Sequence, residues 1–337
     1  RPWPPHGGPP LDRGAGSEIR AVTASFLAIV GPTASGKSEL AVALAQRLGG
    51  EVVSMDSRQV YRGMDIGTAK MTVAERAGIP HHGLDLVDPD QSYSAGRFAR
   101  EARGWTRAIR ERGRVPILVG GTGFFLRALT QPIFEEPALD PARRGLLRDW
   151  LAARPRTELV RWTRALDPAR AEVAEAGGTQ RLSRTLEVAL LTGRALSWWH
   201  RSAPSSEGAL SPMIALVELP REEIDRRIDA RVERMLAGGL VEEVRGLLAQ
   251  GYGPGDPGMT GVGYREIVAQ LRGDVEPDQA AERTRKATRA YARRQETWFR
   301  HQLEKAVLRL DGMSPLEERV ERVERAWTGA WNGGSDA

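Results

Sequence analysis

One octapeptide near the amino terminus constrains the fold of this 337-residue chain more than any other feature. Residues 31–38 match the phosphate-binding pattern GxxxxGK[ST] at every fixed position. The apolar run Phe26–Val30 precedes them, as expected for a strand buried on both faces of a parallel sheet, and a helical pattern follows from Lys37 to Leu48. This order of strand, glycine-rich turn and helix predicts a loop that wraps around phosphate groups.

The predicted phosphate-binding residues are the eight residues of this loop: Gly31, Pro32, Thr33, Ala34, Ser35, Gly36, Lys37 and Ser38. The glycines let backbone N–H groups point at phosphate oxygens, and the helix that follows adds positive potential. Lys37 supplies a positive charge, and Ser38 supplies a hydroxyl ligand for Mg²⁺, the predicted cofactor. The motif therefore predicts a phosphate or pyrophosphate ligand without saying which.

Apolar runs that predict strands alternate with helical patterns over much of the chain. After the first strand they are Glu51–Met55, Gly83–Val87, Val115–Val119 and Met213–Leu219, the last strand that we predict. The pattern from 221 to 310 is helical, with a break near 251–263. We predict an α/β fold resembling P-loop NTPases: a doubly wound parallel sheet with a helical insertion and a helical carboxyl-terminal region.

Local composition divides the chain into four regions. Residues 1–22 are rich in Pro and Gly and are predicted to be a disordered extension. Residues 23–136 and 203–312 are predicted to form the catalytic core with its carboxyl-terminal helices. Residues 137–202 lose the strand signal and are predicted to form a helical insertion domain, whereas 313–337 are predicted to form a helix and tail.

The overall composition excludes several classes of site. The chain has no cysteine, which excludes disulfides, thiol nucleophiles and cysteine-ligated zinc. No apolar run approaches the roughly 18 residues of a membrane span, so we expect no membrane partner. We also expect a cytoplasmic protein that acts as a monomer. The net charge of +5 permits nucleic-acid binding. His81 and His82 lack neighbouring ligands, so a structural role or a substrate contact is favoured over a metal site.

Two polar residues follow predicted strands at the edge where phosphates should bind. In a parallel sheet the carboxyl ends of all strands share one edge, beside the ligand crevice. Asp56 should lie just beyond the phosphates, as a general base acting on an acceptor or, alternatively, as a helix N-cap or metal ligand. Thr122 could donate to a leaving-group oxygen or stabilise a turn. No carboxylate ends the strand before Thr122, unlike the usual arrangement of NTP hydrolases.

Six segments resemble, in the same order, the family of bacterial tRNA dimethylallyltransferases, also called tRNA isopentenylpyrophosphate transferases. The similarity runs from about Phe26 to Leu310. A phosphate loop alone would be non-specific, whereas six ordered segments identify a family. They are Asp56–Lys70, His81–Asp88, Val119–Thr122, Gln180–Arg184, Arg227–Arg231 and Gly261–Arg265.

The resemblance implies that dimethylallyl pyrophosphate binds the loop and donates its prenyl group to the exocyclic amine of adenosine 37, beside the anticodon. The implied acceptors are tRNAs that read codons starting with U. Asp56 is implied to orient or deprotonate the amine, and Thr122 and Arg231 to hold the pyrophosphate. Further implied tRNA contacts are Asp56, Ser57, Arg58, Gln59, Arg144, Gln180, Arg181, Leu182, Ser183 and Arg184. The target base would have to leave its stack.

A basic stretch at 279–309 adds nine Lys or Arg residues against three Glu. On a helix, Arg289 and Arg293 would lie on one face, and we predict that they contact the tRNA backbone through charge. Tyr291, Gln295 and Trp298 would lie toward another face that packs on the core. The alternative is a solvated face paired with neighbouring acids.

Two other functions are compatible with the phosphate loop. One is a small-molecule enzyme, either a P-loop kinase or an isopentenyltransferase that uses free AMP, but it would need neither the basic stretch nor the helical insertion. The other is an RNA-binding protein whose loop is a switch without chemistry. Asp56 and Thr122 at the same sheet edge argue against that second reading.

Overall fold

The computed structural model describes residues 24–131, 139–202, 210–303 and 307–331, so the segment predicted to be disordered lies outside it. Across these residues, six parallel strands form one sheet in the order β3-β2-β4-β1-β5-β6, which confirms an α/β fold on a parallel sheet. The strands are β1 (Phe26–Val30), β2 (Gly50–Ser54), β3 (His81–His82), β4 (Val115–Gly120), β5 (Pro212–Glu218) and β6 (Leu308–Asp311).

Helices make up most of the remaining described chain. Those between β1 and β5 are α1 (Lys37–Leu48), α2 (Ala95–Glu111), α3 (Gly123–Thr130), α4 (Pro141–Ala152), α5 (Arg156–Leu166), α6 (Ala171–Ala176), α7 (Thr179–Thr192) and α8 (Leu196–Ser202). After β5 come α9 (Arg221–Ala237), α10 (Leu240–Ala249), α11 (Tyr264–Leu271), α12 (Pro277–Gln302) and α13 (Leu316–Trp331). A 3-10 turn, Pro168–Arg170, lies between α5 and α6.

Each face of the sheet buries a separate apolar cluster. Alternate side chains of a strand point to opposite faces. Leu27 and Ile29 of β1 face α1 and α13, where Leu40 and Val323 are fully buried. Phe26 and Ala28 face the other side, packed against α2, α3 and Phe299 of α12. Two helical layers therefore cover the sheet and leave its carboxyl edge for a site.

Two predicted elements differ from the structure. The predicted strand Gly83–Val87 is wrong: pairing with β2 stops after β3, because Gly83 adopts a φ of 80° and a Cβ there would stand 2.6 Å from the Ser54 carbonyl oxygen. The prediction that Met213–Leu219 holds the last strand is also wrong. The chain leaves α12 at Gln302, and β6 then pairs with β5.

Helices α4 to α8 lie between α3 and β5 in the chain, and α4 to α7 pack around a small apolar cluster of their own. Leu151, Leu159 and Leu186 are fully buried in that cluster. Glu187 of α7 is also buried, and its carboxylate pairs with guanidinium groups of Arg144 and Arg148 on α4. No helix in the described parts of the chain has the length and apolar character needed to cross a membrane.

Candidate active site

The loop after β1 has the geometry that its sequence predicts. Ala34 and Gly36 adopt left-handed φ values of 64° and 80°, and α1 starts immediately after Gly36. Ser35 is fully buried, and a Cβ at Gly31 would stand 2.6 Å from the Val217 carbonyl oxygen. The tight turn and the close approach of β5 therefore require these small residues.

The loop opens into a cavity of about 180 Å³. We call it the loop cavity. Its walls include Thr33, Ala34, Ser35, Gly36, Lys37, Ser38, Asp56, Gln59, Thr68, His81, Gly121, Arg231 and Gln295. The structure thus brings the predicted loop residues together with Asp56 from the end of β2 and Arg231 from α9.

Two cations converge in the loop cavity. Burial, and then the neighbouring Arg231, lower the pKa of Lys37 to about 7, although Asp56 acts in the opposite direction. Burial also lowers the pKa of Arg231, partly offset by Asp56. A polyanion in the cavity would remove the repulsion between the two cations. The arrangement therefore suits a phosphate or pyrophosphate ligand.

Asp56 follows β2 and Thr122 follows β4, and a hydrogen bond from the residue after Asp56 links these two chain segments. Oδ1 of Asp56 accepts a hydrogen bond of 2.8 Å from the Arg58 N–H, which fixes a turn rather than a helix N-cap. The Ser57 N–H donates to Oγ1 of Thr122 at 3.1 Å. A Cβ at Gly120 would stand 2.0 Å from the Met55 carbonyl oxygen, so only glycine lets β4 approach β2 this closely. Both side chains therefore sit at the shared sheet edge.

Helix α12 supplies two site residues that sequence reasoning assigned only to core packing. Burial, followed by the charge of Asp56, raises the pKa of the Tyr291 phenol to about 12, although the neighbouring Thr122 hydroxyl acts in the opposite direction. Gln295 accepts from the Thr33 N–H at 2.8 Å and donates to the Gly121 carbonyl at 3.0 Å. The sequence did contain a signal for this role: a phenol and an amide lie one turn apart on the face of α12 that packs on the core.

A second cavity of about 260 Å³ adjoins the first, and we call it the adjoining cavity. Its walls include Arg58, Arg265, Tyr291 and Arg294. The two cavities share Thr33, Asp56, Thr68 and Arg231. A molecule in the loop cavity and one in the adjoining cavity would therefore meet at Asp56 and Arg231.

A carboxylate on α10 holds the loop that carries Thr68. Glu243 accepts from the backbone N–H groups of Asp65, Ile66 and Gly67 at 2.9, 2.7 and 3.1 Å. The Thr68 carbonyl in turn accepts from Nη2 of Arg231 at 3.3 Å. Arg231 is thereby oriented from outside its own helix.

The residues predicted to contact tRNA occupy different environments. The prediction that Leu182 contacts tRNA is wrong, because its side chain is fully buried among the leucines of α4, α5 and α7. Gln180 and Arg181 are exposed, while Ser183 and Arg184 are half-buried. Arg184, like Arg144, pairs with Glu187. The pKa of Glu187 is lowered, because the hydrogen bond from Arg148 and the neighbouring guanidinium charges outweigh burial.

Three of the other predicted RNA-contact residues, Arg58, Gln59 and Arg289, are also engaged within the chain. Arg58 donates to the Pro257 carbonyl at 2.8 Å, and the amide of Gln59 contacts Ser54 and Thr68. Arg289 of α12 pairs with Asp229 of α9, as the solvated-face alternative anticipated. Arg293 makes no ion pair with a described residue.

The described residues contain no cluster of three or more acidic or histidine side chains able to hold a metal ion. Ser38 and Asp56 nevertheless place two oxygen ligands on the wall of the loop cavity. Oxygen donors suit Mg²⁺, which commonly takes few protein ligands and completes its shell with phosphate oxygens and water. The donor set therefore fits this ion.

A sequence profile described as IPP transferase matches residues 59–302, and one described as isopentenyl transferase matches residues 24–85. The tRNA dimethylallyltransferase of Pelotomaculum thermopropionicum is 40% identical over 305 residues, covering 90% of this chain and 96% of that protein. The same-named protein of Halorhodospira halophila is 45% identical over 317 residues, covering 93% and 100%.

Solved structures extend the likeness to the fold. The full-length tRNA isopentenylpyrophosphate transferase of Bacillus halodurans is 33% identical with a TM-score of 0.66, covering 91% of this chain and 96% of that one. A eukaryotic dimethylallyltransferase acting on tRNA is 27% identical with a TM-score of 0.71, covering 89% and 77%.

Proposed function

Because this chain belongs to the IPP transferase family of tRNA dimethylallyltransferases, we propose that it transfers a dimethylallyl group from dimethylallyl pyrophosphate to adenosine 37 of tRNA. The observation that carries the proposal is the meeting of two cavities at Asp56 and Arg231. A pyrophosphate in the loop cavity and a nucleobase in the adjoining cavity would face each other at those two side chains.

The P-loop-like core binds the donor. Backbone N–H groups of the loop, Lys37 and Arg231 surround the pyrophosphate and stabilise the negative charge that grows on it as it leaves. Ser38 would hold Mg²⁺ together with pyrophosphate oxygens, and the bound ion would add charge stabilisation. Gln295 holds the loop at Thr33 and the end of β4 at Gly121 in a fixed relative position through its two hydrogen bonds.

Asp56 prepares the acceptor. The exocyclic amine of adenine is a weak nucleophile, because its lone pair is delocalised into the ring. A carboxylate that accepts an amine proton localises that pair. The amine nitrogen then bonds to the first prenyl carbon, the carbon–oxygen bond to pyrophosphate breaks, and the amine proton passes to Asp56. We assign stabilisation of the departing oxygen to Thr122 and Arg231.

We infer that the tRNA contacts basic and polar residues of the core and of the helical insertion. We assign this binding to Ser57, Arg58 and Gln59, and to the helical insertion through Arg144, Gln180, Arg181, Ser183 and Arg184. Arg289 and Arg293 of α12 contribute by electrostatic contact with the phosphate backbone of the tRNA. An anticodon loop costs little to unstack, which favours flipping of the target base. The expected acceptors read codons that start with U, and the enzyme acts as a cytoplasmic monomer.

One assay separates this function from its alternatives. The protein is mixed with labelled dimethylallyl pyrophosphate, Mg²⁺ and either an anticodon stem-loop or free AMP. Label transferred only to the stem-loop supports the proposal. Transfer to AMP, or ATP turnover without a prenyl donor, would replace it with a small-molecule enzyme. Binding of the stem-loop without any transfer would leave only an RNA-binding protein.

A further inference from the structure

The carboxylate of Glu243 borders neither cavity, yet it organises the loop between β2 and β3 that reaches both of them. Its Oε2 accepts hydrogen bonds from the backbone N–H groups of Asp65 and Ile66. Its Oε1 accepts from the Gly67 N–H and, at 2.5 Å, from the phenol of Tyr264. A carboxylate has about four acceptor sites, so these four donors use them all. Three successive residues of the loop are thereby held in one conformation.

Tyr264 fixes the carboxylate and the loop at the same time. Its side chain is 1% exposed, and burial followed by the charge of Glu243 holds the pKa of its phenol well above the ordinary value, so the hydroxyl remains a donor. A Cβ at Gly67 would stand 2.7 Å from the phenol oxygen, so only glycine lets the backbone lie against this ring. We call residues 65–68 the wall loop, because Gly67 and Thr68 border the adjoining cavity.

The wall loop determines where the guanidinium group of Arg231 can lie. The Thr68 carbonyl accepts from Nη2 of Arg231 at 3.3 Å, and it is the one hydrogen-bond acceptor of that side chain among the described residues. The same carbonyl accepts from Nε2 of Gln59. A guanidinium group has five donors, so a single acceptor orients it while most donors remain available to a ligand. Displacement of the wall loop would therefore displace Arg231, which borders both cavities.

We propose that Glu243 is a positioning residue for Arg231, with Tyr264 as its support. The carboxylate fixes the wall loop, and the Thr68 carbonyl fixes the guanidinium group in the geometry that stabilises the growing charge of the leaving pyrophosphate. A misplacement of about 1 Å can cost about 10²-fold in rate, so a residue outside both cavities can affect transfer. This inference rests on the proposed function for the role of Arg231 in the transfer step.

A double-mutant cycle on the transfer step tests the positioning role. Glu243→Gln keeps the shape of the side chain but sets an amide nitrogen against backbone donors. We expect the single-turnover rate at saturating donor to fall about tenfold. In an Arg231→Met background the same substitution should change the rate less than about twofold, because the group that it positions is absent. Glu242→Gln, at an exposed position on the same turn of α10, is the control and should leave the rate unchanged.

A purely structural role of Glu243 predicts a different outcome, namely the same fold loss of rate with Arg231 present or absent. That outcome, or an unchanged rate in Glu243→Gln, would overturn the inference. The loss of stability in chemical unfolding should instead be alike in both backgrounds. If Glu243→Gln does not fold, Tyr264→Phe takes its place in the cycle. It keeps the ring and removes only the donated O–H, so we expect a loss of about threefold that again requires Arg231.

A second cycle measures binding of inorganic pyrophosphate and needs no RNA. Titration calorimetry with Mg²⁺ held constant should show that Glu243→Gln weakens this binding about fivefold, and that the effect disappears in the Arg231→Met background. Coupling in this cycle without any transfer by the unmodified protein would reject the proposed function and retain the positioning of Arg231. Additive losses of pyrophosphate affinity would overturn the positioning role, whichever acceptor the protein uses.

Discussion

The side-chain oxygen of Gln295 accepts a hydrogen bond of 2.8 Å from the backbone N–H of Thr33. Through this contact the long helix α12 holds the phosphate loop, and the amide nitrogen of the same side chain donates to the Gly121 carbonyl. The amide orientation is matched to its two partners, because one is a donor and the other an acceptor. Loop, sheet edge and helix are therefore fixed as one unit.

Replacing Gln295 with Leu should damage donor binding and stability together. The side chain is nearly fully buried, and its loss leaves the half-buried Thr33 N–H and the buried Gly121 carbonyl unpaired, the latter at a cost of about 1–3 kcal/mol. We expect the KM for dimethylallyl pyrophosphate to rise and chemical unfolding to shift to lower denaturant. Gln302→Leu, on the exposed end of the same helix, is the control. An unchanged KM would show that the loop holds its shape without Gln295.

Asp56→Asn should slow transfer far more than it weakens tRNA binding. The amide keeps the size of the side chain but cannot take the proton of the adenine amine, so kcat should fall about 10²–10⁴-fold. Single-turnover transfer and filter binding of the tRNA measure the two effects separately. Asp90→Asn, at an exposed position, controls for the loss of charge. Equal losses in kcat and tRNA affinity would remove Asp56 from the role of base.

Donor binding should take up a proton above neutral pH. Lys37 has a pKa of about 7 in the free protein, so its amine is mostly neutral at pH 8, and a pyrophosphate would favour the charged form. Calorimetry at pH 8 in two buffers of different ionisation enthalpy should report the uptake, which Lys37→Met should abolish. No buffer dependence would contradict a lowered pKa.

The same pKa shift sets the sign of a stability change with pH. The unfolded chain holds this proton up to its ordinary pKa of 10.5, whereas the folded chain releases it near 7. Unfolding is therefore linked to proton uptake between those values, and the contribution of Lys37 to stability should improve as pH rises above 7. Lys37→Met should flatten this part of the unfolding profile.

Arg293 and Arg289 should differ in their effect on tRNA binding. Arg289 already pairs with Asp229, whereas Arg293 has no such partner among the described residues. Arg293→Ala should lower the slope of log K against log salt by about 0.7–0.9, the change expected for one lost phosphate contact. Arg289→Ala should lower it less and should destabilise the α9–α12 contact. Equal slopes in both variants and the control Arg325→Ala would assign α12 to structure alone.

The sequence predicted the parts of this site that depend on local order along the chain. A strand followed by a glycine-rich turn, and the shared edge of parallel strands, were enough to bring Lys37 and Asp56 together. Gln295 and Tyr291 come from a helix more than 200 positions beyond the loop, and only tertiary packing reveals them. The local pattern of a sequence does not specify which residue an amide on a distant helix will contact.

The second limit of prediction from the sequence was the recognition of short strands. β6 has four residues, and the helical composition before it masked the alternation of Leu308 and Leu310, which did contain the signal. Gly83–Val87 failed for the opposite reason. Its apolar residues suggested a strand, but Gly83 turns the backbone away from β2 by a conformation that composition does not specify.

The contact between Thr33 and Gln295 also has a consequence for synthesis on the ribosome. The phosphate loop is among the first described segments to leave the exit tunnel, yet the amide that holds it is made 262 positions later. Chains emerge amino-terminus first, at about 5–20 residues per second. A nascent or prematurely terminated chain can therefore carry the complete loop motif without its support. Donor binding should then appear only after α12 has left the exit tunnel.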